Sequence, residues 1–198
     1  MLDAPIRRVM ATPLNAAAGT LQRVGLGANF VTITGFVLGL IAVGAIASEE
    51  YLVGLVFLLL NRIADGLDGA LARRTRETPL GGFLDATLGV AVSLGVAFAF
   101  AIARQQNGLA AAFLMLGLTL VAVTNLAARA FGSPATGAGS EQPLLLCEQS
   151  ETFIFFVLMS LIPWAFALFA YAYGALCFIS AVIGLAVAAS SLSNTAKS

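Results

Sequence analysis

Residues 51–85 read YLVGLVFLLLNRIADGLDGALARRTRETPLGGFLD. An apolar run passes into a cluster of acids and arginines, and a second apolar run, ATLGVAVSLGVAFAFAIA, continues from there to Ala103. At 1.5 Å per residue, about 20 apolar residues cross a hydrocarbon layer about 30 Å thick, so the two runs are expected to be transmembrane helices joined by a short charged turn. The rest of the chain repeats the pattern. Of 198 residues 60% are hydrophobic and 10% charged, against roughly 25% charged in soluble domains, too few to cover a water-facing surface. The 20 glycines suit close helix approach, where lipid supplies no hydrophobic drive between helices.

Working outward, six spanning windows are expected at about 30–48, 51–72, 82–103, 109–129, 152–171 and 173–192. They predict an all-α polytopic membrane protein, a six-transmembrane-helix bundle over residues 29–198. The turns fall at Glu49 and Glu50, from Arg73 to Pro79, from Arg104 to Gly108, from Gly132 to Gln149, and near Tyr171 to Gly174. Pro163 is expected to bend the fifth helix. Residues 1–28 mix Arg7, Arg8 and Arg23 with Ile6, Val9, Met10, Leu14 and Leu21, the pattern of an interfacial amphipathic segment, broken near Pro13, on the membrane surface. The first thirty residues lack a compact apolar stretch with a small-residue cleavage site, so the N-terminus is expected to stay in the mature chain.

Cytoplasmic loops carry the excess of arginine and lysine. With six spans and the N-terminus inside, Arg7, Arg8, Arg23, Arg73, Arg74, Arg76, Arg129 and Lys197 fall on the cytoplasmic side, Arg104 outside, and Arg62 within a span. Both termini and the charged turn are therefore placed in the cytoplasm. Arg74 and Arg76 are read either as contacts to anionic lipid head groups or as ordinary topology residues.

Charges at membrane depth are costly and are usually paired or functional. Asp65 and Asp68 share a helix face, and continuing by fours from Asp65 gives Gly69 and Arg73, a glycine hollow between a carboxylate and a guanidinium. Asp85, near the start of the antiparallel next helix, returns to the same level. Carboxylates facing one hollow repel unless a positive group lies between them, and oxygen-only ligands favour magnesium or manganese completed by water and phosphate. Arg73 offers a planar fork for phosphate, and Gly69 lets a large ligand approach the backbone. These parts suit a metal-assisted phosphoryl exchange. The plainer alternative is that Asp65 and Asp68 pair with Arg62 and Arg73 to hold helices together. The spacing does not make a calcium-binding loop.

The run Asp65, Asp68-Gly69, Ala72-Arg73, Gly81, Asp85 resembles the signature of the CDP-alcohol phosphotransferases, also called CDP-alcohol phosphatidyltransferases. Asn29-Phe30-Val31-Thr32-Ile33-Thr34-Gly35 is similar to the family's Asn-x-x-Thr-x-x-Gly start of the first span. The resemblance implies that Asp65, Asp68 and Asp85 bind two Mg2+ or Mn2+ ions, with Asp85, Asp68 and Arg73 as the catalytic group. It implies that Gly69 and Arg73 hold the CDP diphosphate, and that Asn29 and Thr32 line the nucleotide pocket. It further implies transfer of a phosphatidyl or substituted phosphoryl group from a CDP-linked lipid donor to an alcohol with release of CMP, phospholipid biosynthesis, and a homodimer.

One position departs from that signature. Four residues after Asp85, where the family has its last aspartate, the chain has Gly89. In the family that aspartate is thought to act as general base toward the acceptor hydroxyl and to help hold metal. A general base contributes about 10² to 10⁴-fold, so its loss leaves three outcomes open: an enzyme with a relocated base, a hydrolase, or a silent binding or assembly subunit. Glu77, Glu148 and Glu151 are the candidate replacements, Glu148 and Glu151 being equally readable as helix N-terminal charges. A small transporter is the reading from another class, supported by paired membrane acids but by no inverted repeat. Basic residues are too few for nucleic-acid binding beyond one nucleotide. Histidine is absent, which removes histidine-based catalysis. Cys147 and Cys177 have no metal or redox spacing and read as packing residues. Trp164, Tyr171 and Tyr173 read as markers of depth or of interfaces.

Overall fold

The structure is a computed structural model, and residues 14–130, 147 and 149–195 are described. Seven α-helices are present among them: α1 (residues 14–23), α2 (Ala28–Ala47), α3 (Tyr51–Arg74), α4 (Pro79–Ala103), α5 (Gly108–Ala130), α6 (Gln149–Leu161) and α7 (Phe166–Thr195). The segment with Arg7, Arg8 and Pro13, most of the Gly132–Gln149 loop, Glu148 and Lys197 lie outside the described residues.

Among the described residues, four stretches are long and apolar enough to cross a membrane: Ala28–Ala47, Pro79–Ala103, Gln105–Ala128 and Pro163–Ser190. Their outer faces expose large apolar side chains such as Phe30, Ile33, Val37, Phe98, Leu116 and Val182, which water would not tolerate in such density and lipid does. The protein is a multi-pass membrane protein. α3 is as long as the others, at 24 residues, but carries the charged cluster at its C-terminal end.

The chain end of the bundle differs from the sequence expectation. The turn expected near Tyr171–Gly174 is not a turn: those residues lie inside α7, and the chain reverses instead at Ile162–Ala165. Pro163 begins a 3-10 turn there, where its missing N–H costs no helical hydrogen bond, so it ends α6 and does not merely bend it. The window 152–171 is thereby divided. α6 has 13 residues and rises roughly 20 Å. Gly174 serves packing: a Cβ on it would lie 2.7 Å from Phe113 Cδ1 of α5. Trp164 stands exposed at the reversal, whereas Tyr173 is fully buried and stacks on Phe155 with ring centroids 4.3 Å apart.

α2 packs extensively against both α3 and α4, while α3 and α4, consecutive in the chain, touch each other little. Small residues make this possible. A Cβ on Gly39 of α2 would lie 2.6 Å from Val92 Cγ2 of α4, and one on Gly35 would lie 3.0 Å from Ala64 Cβ of α3. The second half, α5 against α7, joins the first through α4, and α6 touches α3 and α7. The larger apolar core runs through both halves. At the end away from the cluster Phe100 is stacked between Tyr51 and Phe166, and Arg104 pairs with Glu49 at 3.3 Å. Cys147 and Cys177 are buried in the same core.

At the opposite end α1 rests on α3. Ala18 is fully buried in a small cluster with Val31, Ala64, Ala70 and Leu71, and Gly66 leaves room for Leu14. Arg74 donates to the backbone carbonyl of Asn15, a role neither reading of the sequence gave it. Gly25, at φ 80°, ends α1 in the left-handed conformation, and Leu26 N–H donates back to Leu21 O at 3.1 Å, which closes the helix and turns the chain into α2.

Gly39→Val is expected to overpack the α2–α4 contact, at a cost of about 1–3 kcal/mol, and to lower the thermal midpoint in detergent. Gly44→Val is the control, since its Cβ would meet nothing within 4 Å, and it is expected to leave the midpoint unchanged.

Candidate active site at the charged end of α3

Because α2 holds α3 and α4 apart, a gap remains between their charged ends. It forms a cavity of about 280 Å³ lined by Ala28, Asn29 and Thr32 of α2, Asp68, Gly69, Ala72 and Arg73 of α3, Arg76, Glu77 and Thr78 of the turn, and Gly81, Gly82 and Asp85 of α4. Thr78 starts α4 as its N-cap, accepting from Gly81 N–H at 3.0 Å, and Pro79 follows at the first turn, where proline suits a helix. That cap fixes the depth at which Asp85 enters the gap.

Asp68 is 5% exposed and accepts a 2.6 Å hydrogen bond from Thr32 Oγ1. The same hydroxyl lies 3.1 Å from Ala28 O; its single hydrogen serves one acceptor at a time, and the shorter contact places it on the carboxylate. Gly69 keeps the space beside Asp68 open, and the Arg73 guanidinium folds over it, with Nη1 3.4 Å from where a Cβ would stand. Gly81 does the same for Asn29, whose Oδ1 lies 3.0 Å from the corresponding point. Gly81 thus leaves room for a side chain from α2, whereas a Cβ on Gly69 would meet Arg73 of its own helix at ordinary contact distance.

Asp65 is divided from Asp68. It lines a hollow of about 10 Å³ with Thr32, Phe36, Asn61, Asp85, Leu88, Gly89 and Val92, the size of one water. Arg62 Nη1 stands 4.0 Å from Asp65 Oδ2, the outer limit of an ion pair, and Arg62 Nη2 lies 3.4 Å from Ser150 Oγ of α6. Gln149 Nε2 donates to Asp65 Oδ2 at 3.3 Å, and Asn61 Nδ2 donates to Gly35 O at 2.9 Å. Asp85 lines both hollows. It also lines a third cavity of about 500 Å³ between α4 and α5, with Gly89, Ser93, Asn125, Gln149 and Thr152 among mainly apolar walls.

Asn29, Thr32, Asp65, Asp68, Gly69, Arg73 and Asp85 all lie at this end of the bundle, but the three carboxylates do not face one hollow. Among the described residues no three acidic side chains converge closely enough to hold an ion together. Each α3 aspartate instead shares a separate hollow with Asp85. The carboxylates still suit a hard divalent cation: their donors are all oxygen, and one hollow is of single-water size. Glu77 lines the 280 Å³ cavity, whereas Glu151 lines neither that cavity nor the small hollow. Gln149, Asn61 and Ser150 were missed. Their polar heads are brought in by helix packing, and no motif spacing marks them.

The family CDP-alcohol phosphatidyltransferase matches residues 26–190, and the chain belongs to that family. It is 38% identical over 188 residues to the protein named Inner membrane protein YnjF from Escherichia coli (strain K12), covering 91% of each chain. It is 27% identical over 157 residues to an archaetidylinositol phosphate synthase from Pyrococcus horikoshii, covering 79% of this chain and 80% of that one. A protein of the same name from Methanothermobacter thermautotrophicus is 43% identical over 68 residues, or 34% of this chain and 35% of that one.

Thr32→Val is expected to remove the buried hydrogen bond to Asp68. Bonds to charged groups contribute about 1.5–3 kcal/mol, so unfolding in mixed detergent and SDS micelles is expected at lower SDS, while Thr32→Ser, which keeps the hydroxyl, stays near the unaltered protein.

Proposed function

We propose that this protein transfers a phosphatidyl or substituted phosphoryl group from a CDP-linked lipid, CDP-diacylglycerol in the simplest case, to an alcohol acceptor, releasing CMP. The observation that carries this reading is the 280 Å³ cavity, where Asp68, Asp85 and Arg73 meet over a floor of Gly69, Gly81 and Gly82. The family is metal-dependent, and Asp65, Asp68 and Asp85 are the residues that would hold Mg2+ or Mn2+. Such ions, when bound, offset diphosphate charge and polarise its oxygens.

The protein's own groups divide the remaining work. Arg73 binds the diphosphate through its planar fork, Asn29 and Thr32 border the nucleotide, and Thr32 holds Asp68 in one rotamer. The acceptor oxygen forms a bond to the lipid-bearing phosphorus, the bond from that phosphorus to the bridging oxygen breaks, and CMP departs with the electron pair. The acceptor approaches from the 500 Å³ cavity, on the other side of Asp85 from the donor. Its proton goes to Asp85 or to Glu77, since Gly89 can take none. We place six spans across the membrane, with α3 and the short α6 completing the four apolar ones, and with this site and both termini in the cytoplasm, the side that collects the arginines.

Gly89 favours a second reading, a family member that binds the donor without transferring it. One assay separates the two: CMP release from CDP-diacylglycerol in Mg2+ or Mn2+, with and without inositol phosphate, glycerol phosphate, serine or a lipid alcohol. The transferase reading expects release stimulated by one acceptor, abolished by Asp68→Ala, and with raised donor KM in Arg73→Lys, because a point charge does not reproduce the fork. No release by the unaltered protein together with release by Gly89→Asp would assign it to the binding reading. No release by either would remove the transferase reading.

A further inference from the structure

Position 89 borders both the single-water hollow beside Asp65 and the large cavity between α4 and α5. A Cβ on Gly89 would meet one atom within 4 Å, Gln149 Nε2 at 3.9 Å. That nitrogen is the one that donates to Asp65 Oδ2 at 3.3 Å. A single amide, carried by α6, therefore reaches from the gap at Gly89 to the carboxylate on α3. An aspartate oxygen lies about 2.4 Å beyond its Cβ by ordinary bond lengths, so a carboxylate on position 89 and the Gln149 amide would meet in the same place.

We propose that Gln149 is a positioning residue for Asp65, its amide holding Oδ2 from the gap that Gly89 leaves open. This rests on the metal-dependent reading of the site given above. By holding Oδ2, the amide leaves Oδ1 turned toward α2, where it lies 3.6 Å from the place a Cβ on Gly35 would take, beside the hollow it shares with Asp85. Donors to a metal-ligating carboxylate set its orientation, and their loss costs about 10–100-fold in metal affinity. A neutral amide does this without adding a fourth negative charge beside Asp65, Asp68 and Asp85. Anchoring of α6 does not depend on it, because Ser150 meets Arg62 one residue on.

The test is Mn2+ binding by the full-length protein in detergent, followed by the electron paramagnetic resonance signal of free Mn2+, with thermal midpoints recorded without metal. Gln149→Ala is expected to weaken Mn2+ about 10-fold or more. Gln149→Met, which keeps the bulk but has no N–H to donate, is expected to do the same, with the metal-free midpoint close to that of the unaltered protein. A merely structural glutamine would instead lower the metal-free midpoint in Gln149→Ala and leave Mn2+ affinity unchanged in Gln149→Met. Unchanged affinity in Gln149→Ala or Gln149→Met would overturn the proposal while leaving the metal site standing. Should Asp68→Ala bind Mn2+ as well as the unaltered protein, or the unaltered protein bind none, the metal-dependent reading itself falls and this inference with it.

Discussion

The placement of α2 between α3 and α4 is the constraint on which the site depends. Helices joined by a four-residue turn ordinarily pack on each other, and here that contact would bring Asp68 and Asp85 together and close the gap. Glycines on α2 prevent it by letting that helix approach α4 at Val92 and α3 at Ala64 more closely than any other residue would. The space left at the charged end is then framed by polar side chains on three helices. Thr32 is the point at which the wedge and the chemistry meet, since its hydroxyl belongs to α2 and its hydrogen to Asp68.

In a membrane such a frame has a particular energetic character. Lipid supplies no hydrophobic drive between helices, so van der Waals fit and interhelical hydrogen bonds carry association. The Thr32–Asp68, Asn61–Gly35 and Gln149–Asp65 bonds therefore help to hold the helices as well as to arrange the carboxylates. The stacked rings of Tyr51, Phe100 and Phe166 fix the opposite end by packing alone. Rigidity at one end and polar adjustment at the other suit a site that admits a charged ligand.

Much of this was legible in the residues. The first four apolar windows became helices within a few residues of their expected limits, because each is bounded by charge, Gly or Pro that apolar segments do not tolerate in lipid. The motif residues from Asp65 to Asp85 marked the end of the bundle where the cavity lies. What could not be read was anything set by packing at a distance. Tyr171–Gly174 looked like a break because glycine and tyrosine often stand at helix ends, yet Gly174 is there to admit Phe113 of α5. Pro163, the stronger breaker, decided the matter. The division of Asp65 from Asp68 was likewise hidden, since a spacing of three fixes a shared helix face but not which neighbour each side chain meets.

Asp85 stands in the wall of all three cavities. One carboxylate thus belongs at once to the cavity beside Arg73, to the water-sized hollow, and to the broad apolar chamber beyond. Its contributions are not separable by substitution there, because any change alters three compartments together. Arg73, by contrast, borders one of them alone, as do Ser93 and Asn125 on the opposite side. The modular part of this small machine lies at its margins, and its centre is a single indivisible residue.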